Sequence, residues 1–286
     1  MNVEKLNFFF TMPQNLHFLL AFFFISLIGY CQTSLIGQIV DSQSEEPLPF
    51  VNIGLVDQNQ GTVSDEEGFF EFEIDPEKYR QSILRFSMIG FKSKTFLLED
   101  FLKKNIFIIP LEEETTELDE VVLTTKRTEF QTKILGNKTT SKLIYAAFST
   151  NRLGNEMGFV VKRRKRPMIL KKFNISIVEN DYGKVRFRLN FYAVENGFPT
   201  SSLLDENIII ETEVTSGIVT EDLTPYEIVL DEDFFVSIEW IEDLGPGKLF
   251  FSGGFFGSPL IAREVSQGSW SKLGSANVGM NVEVSY

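Results

Sequence analysis

The stretch Gly61-Thr62-Val63-Ser64-Asp65-Glu66-Glu67-Gly68-Phe69-Phe70-Glu71-Phe72 decides the fold of the first part of the chain. Asp65 to Gly68 has the composition of a tight turn. A carboxylate at the first position can accept a hydrogen bond from the amide two residues on, and glycine at the last position tolerates a left-handed backbone. From Phe70 to Ile74, apolar and acidic residues then alternate. This alternation predicts a half-buried β-strand.

Similar short apolar runs lie on both sides of this turn, separated by proline, glycine and polar residues. A helical period is present only from Glu99 to Lys104. About seven short strands in so few residues predict a small antiparallel sandwich with Greek-key connections over residues 33–111. The other predicted strands are Leu35 to Val40, Phe50 to Val56, Ile83 to Met88, Lys92 to Leu98 and Ile106 to Leu111.

Several segments in this order resemble the carboxypeptidase-regulatory-like domain, a transthyretin-like β-sandwich common in exported proteins of Bacteroidetes. The resemblance implies a role for these residues in turns and core, and none of them forms a catalytic constellation. The matching segments are Gly37 to Asp41, Pro47 to Ile53, Gly61 to Asp65, Gly68 to Phe70 and Leu84 to Lys92.

In the same family this domain often precedes the plug and barrel of outer-membrane TonB-dependent receptors. Leu118-Asp119-Glu120-Val121-Val122-Leu123 resembles the segment that joins the two parts there. Only about 160 residues follow, too few for a receptor barrel, so transport by this chain alone is not expected. Two interpretations stay open: Leu118, Asp119, Glu120, Val121 and Val122 bind an energy-coupling partner, or they form an extended linker strand.

The N-terminus has the pattern of an export signal. Leu16 to Tyr30 is almost wholly apolar and has the length of a signal-peptide core. We therefore expect residues 1–32 to be a signal peptide and the protein to be exported to the periplasm, outer membrane or cell surface. Membrane attachment would come through lipidation of Cys31 or through an uncleaved leader.

Loss of that segment would remove the one histidine, His17, and the one cysteine, Cys31. A mature chain without them could not use Ser-His-Asp or Cys-His catalysis, a His/Cys zinc site or a disulfide. The net charge of −13 also argues against nucleic-acid binding, since phosphate would be repelled. We expect no cofactor, no metal and no enzymatic activity.

Residues 112–154 lack a clear period and are predicted to be a linker. From residue 155 to 286 the strand signal returns, for example in the alternations Val185 to Tyr192 and Phe234 to Ile241. Eight or nine antiparallel strands over about 130 residues predict a jelly-roll-like sandwich. It resembles carbohydrate-binding and galactose-binding-like jelly rolls in architecture alone, because no motif matches. The predicted fold is therefore all-β, with two antiparallel sandwiches.

Four polar residues alternate with apolar ones on a single predicted strand: Arg186, Arg188, Asn190 and Tyr192. Their donors and aromatic ring could form a platform that stacks on and hydrogen-bonds a sugar. The alternative is an ordinary solvated outer face, since antiparallel sheets commonly have one wet side.

Three other charged groups have both a functional and a simpler interpretation. The acidic turns Asp231 to Asp233 and Asp205-Glu206 could hold calcium or be charged hairpin tips. The basic run Lys162 to Arg166 could bind lipopolysaccharide phosphates, an acidic glycan or an acidic partner, or be an exposed loop. Glu239 and Glu211 could be the carboxylate pair of a glycoside hydrolase or be routine strand residues.

Together these patterns predict a non-catalytic, exported cell-envelope protein that binds or scaffolds a glycan or an envelope protein. The alternatives are a carboxylate-dependent glycoside hydrolase and an accessory to TonB-dependent uptake.

Overall fold

The computed structural model describes residues 33–114, 130–163 and 167–286. The predicted signal peptide, with His17 and Cys31, and the segment Leu118 to Leu123 lie outside the described residues. Strands dominate the described residues, with one α-helix and one short 3₁₀ helix at Thr224–Tyr226, which confirms the all-β prediction. None of these described helices is long and apolar enough to span a membrane.

Residues 33–114 form the first body, which has seven strands in two sheets. The strand orders are β4-β1-β7 and β3-β2-β5-β6. The elements are β1 Thr33–Asp41, β2 Asn52–Leu55, β3 Gly61–Val63, β4 Phe69–Ile74, β5 Ile83–Ser87, β6 Lys94–Leu97, α1 Leu98–Lys104 and β7 Ile108–Leu111.

The predicted turn at Asp65 is present. The Asp65 Oδ1 atom accepts hydrogen bonds from the amides of Glu67, at 3.0 Å, and Phe69, at 2.8 Å. Gly68 has a φ of +75°, the left-handed conformation that favours glycine there. One pairing differs from the predicted antiparallel arrangement, because β1 and β7 run parallel. The chain passes through the second sheet and α1 before it returns to β1, and that crossover permits a parallel pair.

The second body comprises residues 130–163 and 167–286, and its strands form a seven-stranded and an eight-stranded sheet. The strands are β8 Thr132–Gly136, β9 Tyr145–Ala146, β10 Glu156–Val161, β11 Met168–Asn180, β12 Val185–Glu195, β13 Phe198–Ser202, β14 Ile208–Thr212, β15 Gly217–Asp222, β16 Val229–Leu230, β17 Phe234–Trp240, β18 Leu249–Gly254, β19 Ile261–Arg263, β20 Ser271–Lys272, β21 Asn277–Val278 and β22 Met280–Ser285.

The two sheets of the second body share one apolar core. The seven-stranded sheet has the path β13-β12-β17-β10-β19-β20, with β14 beside β12. The eight-stranded sheet has the path β21-β18-β11-β22-β8, with β9, β15 and β16 attached to it. Phe187 of the first sheet meets Phe251 of the second edge to face, with ring centroids 6.3 Å apart. Residues of both sheets are therefore buried against each other.

The predicted linker, residues 112–154, differs from the structure in its second half. Strand β8 pairs with β22, and β9 pairs with β18, so both belong to the eight-stranded sheet. In β8, only Leu135 is buried, because the strand lies at the sheet edge and most of its side chains face solvent. A strand of this kind carries no alternating pattern, which explains the absence of a strand signal in this part of the sequence.

A loop of the second body packs tightly against the hairpin formed by β2 and β3. A Cβ atom on Gly54 would lie 2.5 Å from the backbone oxygen of Ser266, so only glycine fits. The side-chain amide of Gln267 donates to the Ser87 hydroxyl at 2.8 Å, and the Asp57 amide donates to the Gln267 carbonyl at 3.0 Å. The two bodies are therefore joined by close backbone packing and by hydrogen bonds.

Candidate functional site

The middle of the outer face of the seven-stranded sheet is buried, although the sequence of its strands alternates. Every residue of β17 is buried, including Ser237 and Glu239, which alternate with the core residues. The neighbouring strand β12 likewise buries Arg188 and Asn190 beside its apolar residues. The first body and the loop around Trp270 lie over this part of the face, so Arg188, Asn190 and Glu239 are shielded from bulk solvent.

Four charged side chains form a line across this face, here called the charged row: Arg188, Glu239, Glu156 and Arg263. Strand register places Arg188 opposite Glu239, Glu239 opposite Glu156, and Glu156 opposite Arg263. Directly opposed residues share one face of a sheet with their Cβ atoms about 5 Å apart. Two arginines thus flank two carboxylates, and their formal charges balance.

Glu156 is enclosed by hydrogen-bond donors. Arg263 donates to it at 2.6 Å, Asn190 donates at 2.9 Å, and the Ser237 hydroxyl also donates. Burial raises the pKa of Glu156, and the adjacent Glu239 charge raises it further, while Arg263 opposes both effects. The donors around Glu156 therefore compensate part of the cost of burying its carboxyl group.

Arg188 connects the charged row to the first body. Its Nε atom lies 3.1 Å from the nearer Glu239 oxygen. One terminal nitrogen donates to Asn207 at 3.1 Å, and the other donates to Asn52 of β2 at 3.5 Å. Asn190 donates to both carboxylates, since its amide also reaches Glu239 at 3.0 Å. The planar guanidinium group therefore bridges the two bodies with its position fixed from three sides.

A cleft of about 650 Å³ lies above the charged row, between the two bodies. Its floor contains the side chains of Arg188, Asn190, Tyr192 and Arg263. One wall is built by the first body through β2, β5 and the turn after β5, and the other by β13 and the residues that follow it. Polar residues of the two walls include Asn52, Arg85, Ser87 and Ser202.

Tyr192 is held at the floor by aromatic neighbours. Its ring lies 6.2 Å from both Phe235 and Trp270, and Trp270 in turn lies beneath the Arg263 guanidinium at 4.7 Å. The Tyr192 hydroxyl donates to Glu156 at 3.4 Å. Burial, followed by the Glu156 charge, raises the pKa of Tyr192 well above its usual range, so it remains a neutral donor.

The predicted ligand platform is partly assembled in this cleft. Arg188, Asn190 and Tyr192 lie together at the floor, whereas Arg186 does not line the cleft. Arg186 forms ion pairs with Glu211 of β14 and with Glu66 of the first body instead. The alternative of an ordinary solvated face is wrong for Arg188 and Asn190, because the first body covers them.

The predicted basic run and one of the acidic turns neutralise each other. Lys162 pairs with Asp233 at 2.6 Å, and Arg163 pairs with Glu232 at 3.0 Å. This pairing follows from the strand register, because β10 and β17 end side by side there. Residues 164–166 lie outside the described residues. Over the described ranges 33–114, 130–163 and 167–286, no cluster of His, Cys, Asp and Glu suited to a metal ion is found.

The two glutamates considered for hydrolysis lie apart. Glu239 is buried within the charged row, while Glu211 is half exposed on β14 and forms ion pairs with Lys184 and Arg186. Strand β12 lies between β17 and β14, and the first of these glutamates is buried whereas the second is exposed to solvent. The carboxylate that neighbours Glu239 is Glu156, which the sequence did not single out.

Glu156, Arg263, Asn52 and Arg85 are site residues that the sequence did not reveal. Glu156 stands at the first position of an apolar strand, and Arg263 stands in a strand of three residues, so neither belongs to a recognisable motif. Asn52 and Arg85 lie in the other body, and their proximity to the site depends on how the two bodies dock. A further signal that the sequence offered for this site was Glu239, a glutamate within the apolar run of β17.

Comparison with known families supports the first-body resemblance. A family model of the CarboxypepD_reg-like domain matches residues 35–123, so the predicted resemblance to that domain is confirmed. The match covers the first body and continues past its last described residue. It therefore identifies one wall of the cleft as part of this domain.

Two further comparisons concern the whole chain. A search of curated proteins finds no match. Among solved structures, one similar chain contains the cysteine protease and lectin-like domains of Cwp84, a surface layer associated protein of Clostridium difficile, at 12% identity and a TM-score of 0.37. The match covers 54% of this chain and 36% of that one, and a TM-score this low supports no transfer of function.

Proposed function

We propose that this protein is a non-catalytic binding module of the cell envelope that holds a glycan in the cleft between its two bodies. The observation that carries the proposal is the cleft itself, in which two β-rich bodies bring polar side chains together around a volume of about 650 Å³. Ligand sites of small molecules commonly have volumes of about 300–1,000 Å³ and lie at domain interfaces.

The chemistry of the lining suits a ligand rich in hydroxyl groups. Asn52 and Asn190 offer both donors and acceptors through their amides, and Ser87 and Ser202 do so through hydroxyls. Sugar hydroxyls also donate and accept, so they can satisfy such a mixed set. The aromatic ring of Tyr192 at the floor provides an apolar surface for the face of a sugar ring.

The environment of the two buried carboxylates supports binding rather than hydrolysis. A glycosidase needs one carboxyl group at the glycosidic oxygen and a second beside the anomeric carbon or its attacking water. Here both oxygens of Glu156 are held by Arg263, Asn190 and Ser237, and the Oε2 atom of Glu239 is held by Arg188 and Asn190, while its buried Oε1 atom has no hydrogen-bond partner among the described residues. Neither lines the cleft. Turnover of chromogenic glycosides that Glu239→Gln abolishes would replace this proposal with the hydrolase alternative.

Arg85 gives the sharpest test of the cleft. Its side chain lines the wall and donates to Ser93, a residue outside the charged row, at 3.0 Å. Once glycan-array screening of the full chain has identified a ligand, we expect Arg85→Gln to weaken binding about tenfold or more, because a charged donor is lost.

The matched control for this test is Arg80→Gln, which changes an exposed arginine of the same body that pairs with Glu77 at 3.6 Å. Isothermal titration calorimetry should give an unchanged Kd for this control. Equal effects of both substitutions, or an array with no bound glycan, would contradict the proposal.

Export and a role in uptake belong to the same proposal and need their own tests. N-terminal sequencing of the protein from the envelope fraction should show a start near residue 33. The accessory role in TonB-dependent uptake depends on residues 118–123, which lie outside the described residues. A pull-down of envelope proteins that is unchanged by deletion of 118–123 would remove that role without affecting the cleft.

A further inference from the structure

Several large apolar side chains are exposed on connected segments of the second body. Phe256 is 94% exposed and Leu143 is 93% exposed, and the exposed Tyr145, Phe255 and Leu273 belong to the same connected loops. These five residues are called the apolar tip. Isolated exposed apolar residues are ordinary, but contiguous ones mark surfaces that contact another molecule.

Backbone pairing and hydrogen bonds connect the three segments that form the apolar tip. The Gly253 amide donates to the carbonyl of Ile144 at 2.8 Å, and strand β21 pairs with the end of β18 at Gly253 and Gly254. The Leu273 amide donates to the Leu260 carbonyl at 2.9 Å. The exposed side chains therefore lie on neighbouring segments of one surface.

Two buried asparagines fix the loop that presents Phe256. The Asn137 side chain accepts from the Ser258 amide at 3.0 Å and donates to the Ser258 carbonyl at 3.3 Å. The side chain of Asn277 donates to the Phe256 carbonyl. Since these bonds hold the backbone on both sides of Gly257, Phe256 is kept at the surface instead of folding back onto the core.

The charge of these segments is opposite to that of the whole chain. The segments 137–146, 249–262 and 271–281 contain Lys138, Lys142 and Lys272 and no acidic residue, whereas the chain as a whole carries −13. Lysines that flank exposed aromatic and aliphatic side chains match an anionic surface with an apolar interior. Elsewhere, by contrast, acidic groups exceed basic ones.

We propose that the apolar tip inserts into the surface of an anionic lipid bilayer. Phe256, Phe255 and Leu143 enter the boundary between headgroups and acyl chains, while Lys138 and Lys142 contact the anionic headgroups. Tyr145, stacked on Phe250 at 4.6 Å, lies at the depth where aromatic rings with a polar end prefer to reside. This contact would be independent of the glycan cleft.

Tryptophan fluorescence of the full chain tests the insertion directly. Phe256→Trp places a reporter in the tip, and Phe107→Trp places a matched reporter at an exposed phenylalanine of the first body. Vesicles of phosphatidylcholine with phosphatidylglycerol, brominated along the acyl chains, should quench the reporter at 256 and leave that at 107 unquenched. The native Trp240 and Trp270 give the same background in both proteins.

A second experiment tests how vesicle binding depends on the lysines of the apolar tip's segments. In the Phe256→Trp protein, Lys138→Gln with Lys142→Gln should lower the apparent affinity for the anionic vesicles roughly tenfold or more at low salt. Leu143→Ser should weaken binding to a smaller degree. Quenching that is equal at 256 and 107, or absent at both, would overturn the proposal. Phe256-dependent capture of a protein without vesicle quenching would also overturn it, in favour of a protein partner.

Discussion

The charged row and the apolar tip lie in the same body and reverse the usual distribution of side chains. The row places Arg188, Glu239 and their neighbours out of contact with bulk water, whereas the tip leaves Phe256 almost wholly exposed. In the row, each charge has an opposite charge or a donor beside it, so burial is tolerated. In the tip, hydrogen bonds of the backbone hold apolar groups outward. Each region therefore depends on a different partner: the first body for the row, and an external surface for the tip.

Burial of the charged row has a large desolvation free energy, and its ion pairs require a specific geometry. Buried ion pairs gain little net stability over apolar side chains of the same size, but the loss of one partner leaves an uncompensated charge. The row therefore contributes less to the stability of the second body than to the position of Arg188 and Asn190 at the cleft floor.

Removal of one arginine from the charged row should have the largest effect. We expect Arg263→Met to lower the free energy of unfolding at pH 8 by about 3–5 kcal/mol, because Glu156 loses its cation while it remains buried. Urea denaturation of the full chain measures this loss. Arg80→Met, at an exposed ion pair, should cause little change.

The double variant Glu156→Gln with Arg263→Met sharpens this test. Because both charges are absent, most of the stability lost in the single variant should return. If the Arg263→Met protein were as stable as the wild type, burial of the charged row would be contradicted. The contrast between the charged row and the apolar tip would then be wrong.

Docking of the two bodies gives the next largest expected effect. Gly54→Ala introduces a Cβ atom about 2.5 Å from the Ser266 backbone oxygen, which forces the hairpin and the loop apart. We expect a loss of about 1–3 kcal/mol in the free energy of unfolding, as for other overpacked sites. The tip reporter at residue 256 should respond to vesicles as before. If its response also fell, the two regions would not be independent.

The pH dependence of Glu156 gives the smallest expected effect. Because burial raises its pKa above the ordinary value of 4.5, the folded state binds a proton more tightly than the unfolded state does. Its contribution to stability is therefore greatest at acid pH and is lost as pH rises through the raised pKa. The stability of the wild type relative to Glu156→Gln should fall from pH 4 towards neutral pH. A relative stability that rises over this window would show that the pKa is lowered.

Local patterns in the sequence predicted many of the strands and the Asp65 turn, but they missed β8 and β9 and did not predict the environment of the side chains. The Asp65 turn and the alternation from Phe70 to Ile74 depend on neighbouring residues, and both are present in the structure. The alternation in β17 left Glu239 either as a catalytic carboxylate or as a routine strand residue, yet it is buried, because residues distant in sequence cover it. Tertiary packing determines which face of a sheet is covered by another body. The two-residue alternation of a strand contains no information about that packing.

The sequence likewise predicted only part of the candidate site. Arg188, Asn190 and Tyr192 were found because they alternate on one strand, and all three reach the cleft floor. Arg186 follows the same alternation, but it lies two residues before Arg188, near the start of β12. There it forms ion pairs with Glu211 and Glu66. Tyr145 and Phe256 gave no strand period, because they lie in a two-residue strand and a loop.

The most direct test compares the reactivity of two phenylalanines in the second body. Phe235 lies on the same sheet face as the charged row and is fully buried, while Phe256 in the apolar tip is 94% exposed. Hydroxyl-radical footprinting of the full chain, read by mass spectrometry, should oxidise Phe256 rapidly and leave Phe235 protected. Rapid oxidation of Phe235 would show that the sheet face is solvated, and would contradict the covered cleft on which the account depends.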